Sequence, residues 1–300
     1  MKATSAQTRV DIKTILYATD FSACSEAALP YLCDIARLYD STVIAVHVMP
    51  SASQTSATLD LELLEKRKEM LELSSRLGEV SHRWLLLEGA VWQQVEQVVK
   101  EEGVDLVVLG THGRTGADRL VLGSIAEEIF RQANCPVLTV GPHVARRALS
   151  RQQPLGQRAT VESNIHTILY PTDFSEESLA AAPFALSMAQ EHQAKLVLLH
   201  VLEESGENRL EDPPGFNQLV TDLKEIVPQE ANLWCEPEYV VEFGVPARRI
   251  LEISEELGAD LVTMGVRGMK QHPISSSAGA AFTAHEVVSR AECPVLTVLG

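Results

Sequence analysis

The chain is written twice. Residues 15–22 read ILYATDFS and residues 168–175 read ILYPTDFS, seven of eight letters identical at an offset of 153. CPVLTV closes each half, at 135–140 and again at 293–298. Between these markers His47-Val48 matches His200-Val201, and VDLVVLG at 104–110 matches ADLVTMG at 259–265, in the same order. A period of roughly 150 residues is several times that of a solenoid repeat and is the length of a whole domain with its own core. The expected organisation is a first domain at 1–142, a linker at 143–163 and a second domain at 164–300.

Each copy alternates strand and helix patterns. In the first, IKTILYA at 12–18 is a short apolar run that ends in Thr-Asp-Phe-Ser, a strand leading into a turn. Asp20 or Ser22 suits the N-cap of the following helix, which runs to about Tyr39. Strands follow at 42–48, 83–88, 104–110 and 136–140. Leu59, Leu63, Met70, Leu73 and Leu77 recur near a 3.6 period, as do Val91, Val95, Val98 and Val99, so both segments read as helices with one buried stripe. The second copy repeats the order, with strands near 165–171, 195–202, 233–243, 259–265 and 294–298. Such alternation builds β-α-β units, hence a parallel sheet with helices on both faces. The fold class expected is α/β, two tandem doubly wound domains of five parallel strands each. The stretch 141–163 is polar, lacks periodicity and carries four arginines, which reads as a solvated linker.

Charge narrows the partners. With 41 acidic and 25 basic residues the net charge is −16, and with 5% aromatic residues few stacking platforms exist. Nucleic-acid affinity depends on Lys and Arg neutralising phosphates and on base stacking, so no nucleic-acid partner is expected. No apolar run approaches the roughly 18 residues a membrane helix needs, and MKATSAQTRVDIKT lacks the apolar core of a secretory signal. A cytoplasmic protein without a membrane partner is expected. Five cysteines with no C-x-x-C suggest reduced, partly buried thiols, and the nine histidines form no metal-binding pair.

One loop carries the chemistry. After its fourth strand the first copy reads Gly110-Thr-His-Gly113-Arg114, and Gly123-Ser124 follows with nine residues between Gly113 and Gly123. Gly110 and Gly113 allow the backbone to approach a ligand and permit positive φ. Gly123-Ser124 opens a helix whose first amides are unpaired and partially positive, a seat for phosphate. Ser124 adds a hydroxyl and Arg114 a cation. Open α/β sheets bind ligands beyond the carboxyl ends of strands where strand order reverses. If strands one and four are neighbours there, Asp20 and Gly110 face one crevice, and the Asp20 carboxylate can accept from an adenine amine or a ribose hydroxyl.

With TDFS after strand one, His-Val near the end of strand two, G-x2-G-x9-G-S and a terminal CPVLTV, the chain resembles the universal stress protein family, as a tandem member. The resemblance covers nearly everything but the linker. It implies an adenine-nucleotide-binding fold of the adenine nucleotide alpha hydrolase-like kind. ATP, or ADP or AMP, with or without Mg²⁺, is the ligand implied. Asp20 and Val48 are placed near adenine or ribose, Leu109 and Gly110 along the base and sugar, and Gly113, Gly123, Ser124 and Ile125 on the phosphates. It also implies pairing through the last strand, so that the two copies form an internal pseudo-dimer, with a homodimer also open.

The second copy departs from the pattern. Twelve residues separate Gly268 from Ala281, against nine in the first copy, with Pro273 between, and Phe282 stands where Ser124 stands. The first 150 residues carry a net charge of −4 and the last 150 one of −12. Poor ATP binding by the second copy is expected. Three functions compete: a nucleotide-binding stress-response or regulatory protein, a slow ATPase using His112 and Asp118, and a nucleotide-free interaction scaffold. The first is favoured, because no G-x4-G-K-S/T and no Ser-His-Asp grouping appears. The pseudo-dimer expectation predicts a single compact particle in small-angle scattering; two separated, mobile domains would contradict it.

Overall fold

The computed structural model of the chain describes residues 9–49, 56–112, 122–150, 165–203, 215–229, 231, 235–267 and 278–300. The chain divides into two compact units, Asp11–Ser163 and Asn164–Gly300, the latter joined by the residues up to Val10. Val10 donates its amide to Ser187 Oγ at 3.1 Å, and Arg9 pairs with Glu191 at 3.2 Å.

The first unit runs β1 (Thr14–Ala18), α1 (Ala23–Tyr39), β2 (Thr42–Met49), α2 (Ser56–Leu77), β3 (His82–Glu88), α3 (Val91–Glu102), β4 (Leu106–Gly110), α4 (Ser124–Gln132), β5 (Val137–Val140) and α5 (Pro142–Ser150). Its strands are all parallel, in the order β3-β2-β1-β4-β5. Strand order reverses between β1 and β4, as the sequence argument required. Near-universal right-handed crossovers put helices on both faces of such a sheet. In keeping with that, α1 packs against α5, and α3 against α4. Leu106, Val107, Val108 and Leu109 are all buried, as expected of a strand covered on both faces. On α2, Met70, Leu73 and Leu77 are buried and Leu63 is half-buried, while Leu61, Leu64 and Leu71 on the opposite face are exposed.

The second unit runs β6 (Thr167–Pro171), α6 (Glu176–Leu179), α7 (Ala182–His192), β7 (Lys195–Leu202), α8 (Phe216–Ile226), β8 (Glu238–Phe243), α9 (Pro246–Glu256), β9 (Leu261–Val266), α10 (Ala278–Arg290) and β10 (Val295–Leu299). Its parallel order, β10-β9-β6-β7-β8, is that of the first unit. The long first helix is here split into α6 and α7, with Pro183 in the first turn of α7.

Two repeated contacts hold the switch point in each unit. Asp105 Oδ2 accepts from the Lys13 and Thr14 amides at 2.7 and 2.8 Å, tying the start of β1 to that of β4. Asp260 Oδ2 does the same for His166 and Thr167, at 2.8 and 3.1 Å. At the other end the helix after the first strand presses on the glycine near the end of the fourth. A Cβ on Gly110 would lie 2.5 Å from Ser25 N, and one on Gly265 would lie 1.9 Å from Glu177 O. Gly110 is therefore required by the close approach of α1, a different reason from the ligand access and positive φ expected of it.

The stretch read as linker opens with α5, whose Val144 and Ala145 are buried. Its apolar residues are too few to register as a period, yet they close over α1. All five cysteines are free thiols; Cys24, Cys33 and Cys293 are buried. Among the described residues no helix is long and apolar enough to cross a membrane. Gly265→Ala should destabilise the second unit by about 2 kcal/mol or more, read as a lower midpoint in urea unfolding; an unchanged midpoint would show that the helix can retreat.

Candidate functional site

The carboxyl ends of β1, β2 and β4 meet at the TDFS turn. Ser22 is the N-cap of α1, and its Oγ accepts from Ser25 N. Asp20 Oδ1 accepts from the Ser22 amide at 3.0 Å and from Ser25 Oγ at 3.1 Å. Of the two cap candidates, Ser22 caps the helix and Asp20 shapes the turn that delivers it. Phe21 between them takes φ 60°, in the left-handed region that non-glycine residues rarely enter.

Four bonds tie the turn to its neighbours. Toward β2, Thr19 N donates to Val46 O at 2.9 Å, and His47 Nδ1 meets Thr19 O at 2.7 Å. Toward β4, Ser22 Oγ donates to His112 O at 3.0 Å. From β1 itself, Tyr17 OH donates to Ser25 O at 2.7 Å. Burial pushes the Tyr17 hydroxyl well above the usual phenol range, so it stays protonated and keeps donating. The Phe21 and His47 rings lie 4.9 Å apart, and buried Lys66, paired with Glu69 at 2.6 Å, stands 5.1 Å over the Phe21 ring.

The phosphate end is described at its roots. Gly123 N donates to Thr111 O at 2.9 Å, so the loop leaves and returns at one point. A Cβ on Gly123 would stand 2.9 Å from that carbonyl, which holds the position to glycine. Gly123 is the N-cap of α4 and makes no side-chain cap bond, while Ser124 and Ile125 are exposed. The first amides of a helix lack partners within it, so this exposed start of α4 fits an anion. The His112 ring is buried, with Nδ1 2.9 Å from Thr111 Oγ1. Cys24 beside it has its thiol pushed up by burial, against a partly compensating His112 amide, so it is not an activated nucleophile.

The fold therefore gathers Asp20, Val48, Leu109, Gly110, Gly123, Ser124 and Ile125 at one end of the sheet. Val48 is half-buried and pairs with Leu87; Leu109 is buried between Ala18 and Thr139. Gly113, Arg114 and Asp118 lie outside the described residues. Among the described residues no group of three His, Cys, Asp or Glu comes together to hold a metal. Sequence reasoning passed over Tyr17, Thr19, Ser25 and the His47–Phe21 contact. Their signal was available, since Tyr170, Thr172, Ser178, His200 and Phe174 all stand at the same offset of 153.

The second unit rebuilds the turn. Tyr170 OH donates to Ser178 O at 2.9 Å, His200 Nδ1 meets Thr172 O at 2.8 Å, and Phe174 takes φ 62° with its ring 4.7 Å from His200. Burial pushes the Tyr170 hydroxyl up to about 12. Burial alone would raise Asp173 too, but hydrogen bonds from the Ser175 and Ser178 hydroxyls and the Ser175 amide outweigh it and hold the carboxyl below its ordinary range. The mouth differs: where the first unit has Cys24 and His112, the second has Glu177 and Arg267, paired at 2.8 Å. Gly268, Pro273 and the Phe282 side chain lie outside the described residues.

Comparison with known proteins follows the same division. The profile described as the universal stress protein family matches residues 11–141 and 164–298. Universal stress protein MJ0531 of Methanocaldococcus jannaschii is 33% identical over 138 residues, covering 43% of this chain and 81% of its own. Universal stress protein MJ0577 of the same organism is 28% identical over 152 residues, covering 43% and 94%. The crystal structure of a universal stress protein from Archaeoglobus fulgidus matches 95% of this chain and 98% of its own, with TM-score 0.69 at 21% identity, which shows the tandem fold.

Burial, first of all, holds His47 below the ordinary imidazole range, and nearby Lys66 acts the same way, against the hydrogen bond to Thr19 O. A depressed histidine takes up a proton in the unfolded chain before the folded one. Its contribution is complete above about pH 6.5, the unfolded value, and is lost as pH falls toward the lower folded value. Urea unfolding of wild type and His47→Gln at pH 8 and pH 5 should show a smaller acid loss in the variant. Equal losses would remove His47 as the cause.

Proposed function

Because the chain belongs to the universal stress protein family, we propose that its first unit binds ATP or another adenine nucleotide and that this occupancy is its regulatory signal in a stress response. The observation that carries the reading is the convergence at the β1/β4 switch point: a carboxylate fixed at Asp20, and an exposed helix start at Gly123-Ser124 pinned to the end of the neighbouring strand. A carboxylate at one end and bare amides at the other suit a molecule with an amine or hydroxyl donor at one end and phosphates at the other.

In this reading Asp20 and Val48 take the base or ribose, and Leu109 and Gly110 line it. Gly113, Arg114, Gly123, Ser124 and Ile125 take the phosphates. Any Mg²⁺ would arrive with the nucleotide and be held by its phosphates. Ligand bound only to the native state stabilises it by mass action, which makes nucleotide level readable as protein stability or shape. The second unit, with Glu177 and Arg267 paired at its crevice mouth, binds ATP poorly. The protein acts in the cytoplasm, and hydrolysis is at most slow.

Titration calorimetry should find one ATP per chain. Asp20→Asn should weaken it by roughly tenfold or more, the loss of a charge-assisted hydrogen bond. Ser124→Phe, which copies the second unit's residue, should abolish it. Two ATP per chain, or undiminished affinity in Ser124→Phe, would overturn the reading.

A further inference from the structure

Helix α2 meets the TDFS turn through a charge. Lys66 is buried, and its Nζ stands 5.1 Å over the Phe21 ring. Glu69, one turn further along α2, accepts from that ammonium at 2.6 Å. A desolvated cation on an aromatic face is attracted by the ring quadrupole, and the carboxylate supplies the partner that a buried charge requires. Phe21 follows Asp20 directly in the chain, and its ring meets that of His47 on β2 at 4.9 Å. Through one ring the lysine therefore reaches the backbone that presents Asp20.

The rest of α2 explains why a lysine stands there. Met70, Leu73 and Leu77 are buried and hold the later turns, and Arg76 pairs with Glu26 of α1. From Leu61 to Glu65 no side chain is buried; Leu61 and Leu64 are exposed and Leu63 is half-buried. Lys66 is thus the first buried residue of α2 among those described. In a β-α-β unit the helix starts where the preceding strand ends, so this weakly anchored part of α2 lies toward the carboxyl ends of the strands, where ligands of such sheets bind.

The second unit shows the turn without this contact. Phe174 takes φ 62° and its ring lies 4.7 Å from His200, yet among the described residues no ammonium lies over it; Lys224 of α8 lies over Tyr239 of β8 instead. The turn therefore forms without a cation on its phenyl ring. It is also less covered: Asp173 is exposed where Asp20 is half-buried, and Ser175 is half-buried where Ser22 is buried. The lysine accompanies the more enclosed base end.

We propose that Lys66 is a positioning residue for the base end of the first unit's site: its ammonium, seated on the Phe21 ring, fastens the early part of α2 to the turn, and the fastened helix walls the place where base or ribose meets Asp20. This rests on the nucleotide reading above.

Calorimetric titration of the full chain with ATP and with adenosine, beside urea unfolding, tests it. Lys66→Met keeps the stem and removes the charge. It should weaken both ligands by the same factor, about threefold to tenfold, the worth of a cation on a buried ring. Lys66→Met combined with Glu69→Gln should bind as Lys66→Met does with an unchanged or higher urea midpoint, because replacing a buried ion pair by uncharged side chains is often neutral or stabilising. That variant also covers the case in which a stranded carboxylate unfolds the single one. Lys66→Arg, which keeps a cation for the ring, should bind within twofold of wild type. In a Phe21→Leu background, with no ring, Lys66→Met should cause no further loss. The proposal is wrong if the charge-free variants bind as wild type does, if ATP alone weakens, if Lys66→Arg loses as much as Lys66→Met, or if the Phe21→Leu and Lys66→Met losses multiply. A midpoint that falls along with affinity in the doubly substituted chain would make the lysine a fold support only, which also overturns it. If wild type binds neither ATP nor adenosine, the nucleotide reading itself falls first.

Discussion

The contact on which the site depends is the seat of α1 against the end of β4. Gly110 offers no side chain there, and the backbone of Cys24 and Ser25 occupies the space a Cβ would need. That closeness brings the TDFS turn within hydrogen-bond reach of the loop root. A methyl group between them would push helix and strand apart by a few tenths of an ångström to an ångström, enough to break a 3.0 Å bond such as Ser22 Oγ to His112 O. The second unit makes an even tighter seat at Gly265. The glycine is thus a packing requirement before it is a ligand requirement, and both units need it whether or not both bind anything.

Much of this was legible in the residues. The repeat announced two copies, and apolar runs bounded by turns located the strands to within a few residues, because a strand buried on both faces has little freedom in composition. The switch point followed from strand order. What escaped was of two kinds. Helix α5 buries only a few small apolar side chains, Val144 and Ala145 among them, within an arginine-rich stretch, so no period marks it. The hydroxyl network escaped because Thr19, Ser22 and Ser25 are ordinary turn and cap residues in a sequence; which oxygen each proton reaches is decided by a strand ninety residues away. Asp105 was read only as part of a matching word, though its carboxylate anchors the start of β1.

Duplication makes the two units controls for each other. Tyr17, Thr19 and His47 bond as Tyr170, Thr172 and His200 do, so those contacts belong to the scaffold. Differences between the units then mark what was added or changed: a thiol and an imidazole at one mouth, a carboxylate and a guanidinium paired at the other. Exposed ion pairs contribute little to stability, so the Glu177–Arg267 pair matters chiefly for what it places at the crevice.

Both units also keep a phenylalanine in a backbone region suited to glycine, at φ 60° and 62°. Such a residue carries roughly 1 kcal/mol or more of strain, and each is compensated by a ring laid against a histidine. Because the strained residue recurs in both units, the strain belongs to the turn itself, the backbone route that delivers Asp20 in one unit and Asp173 in the other.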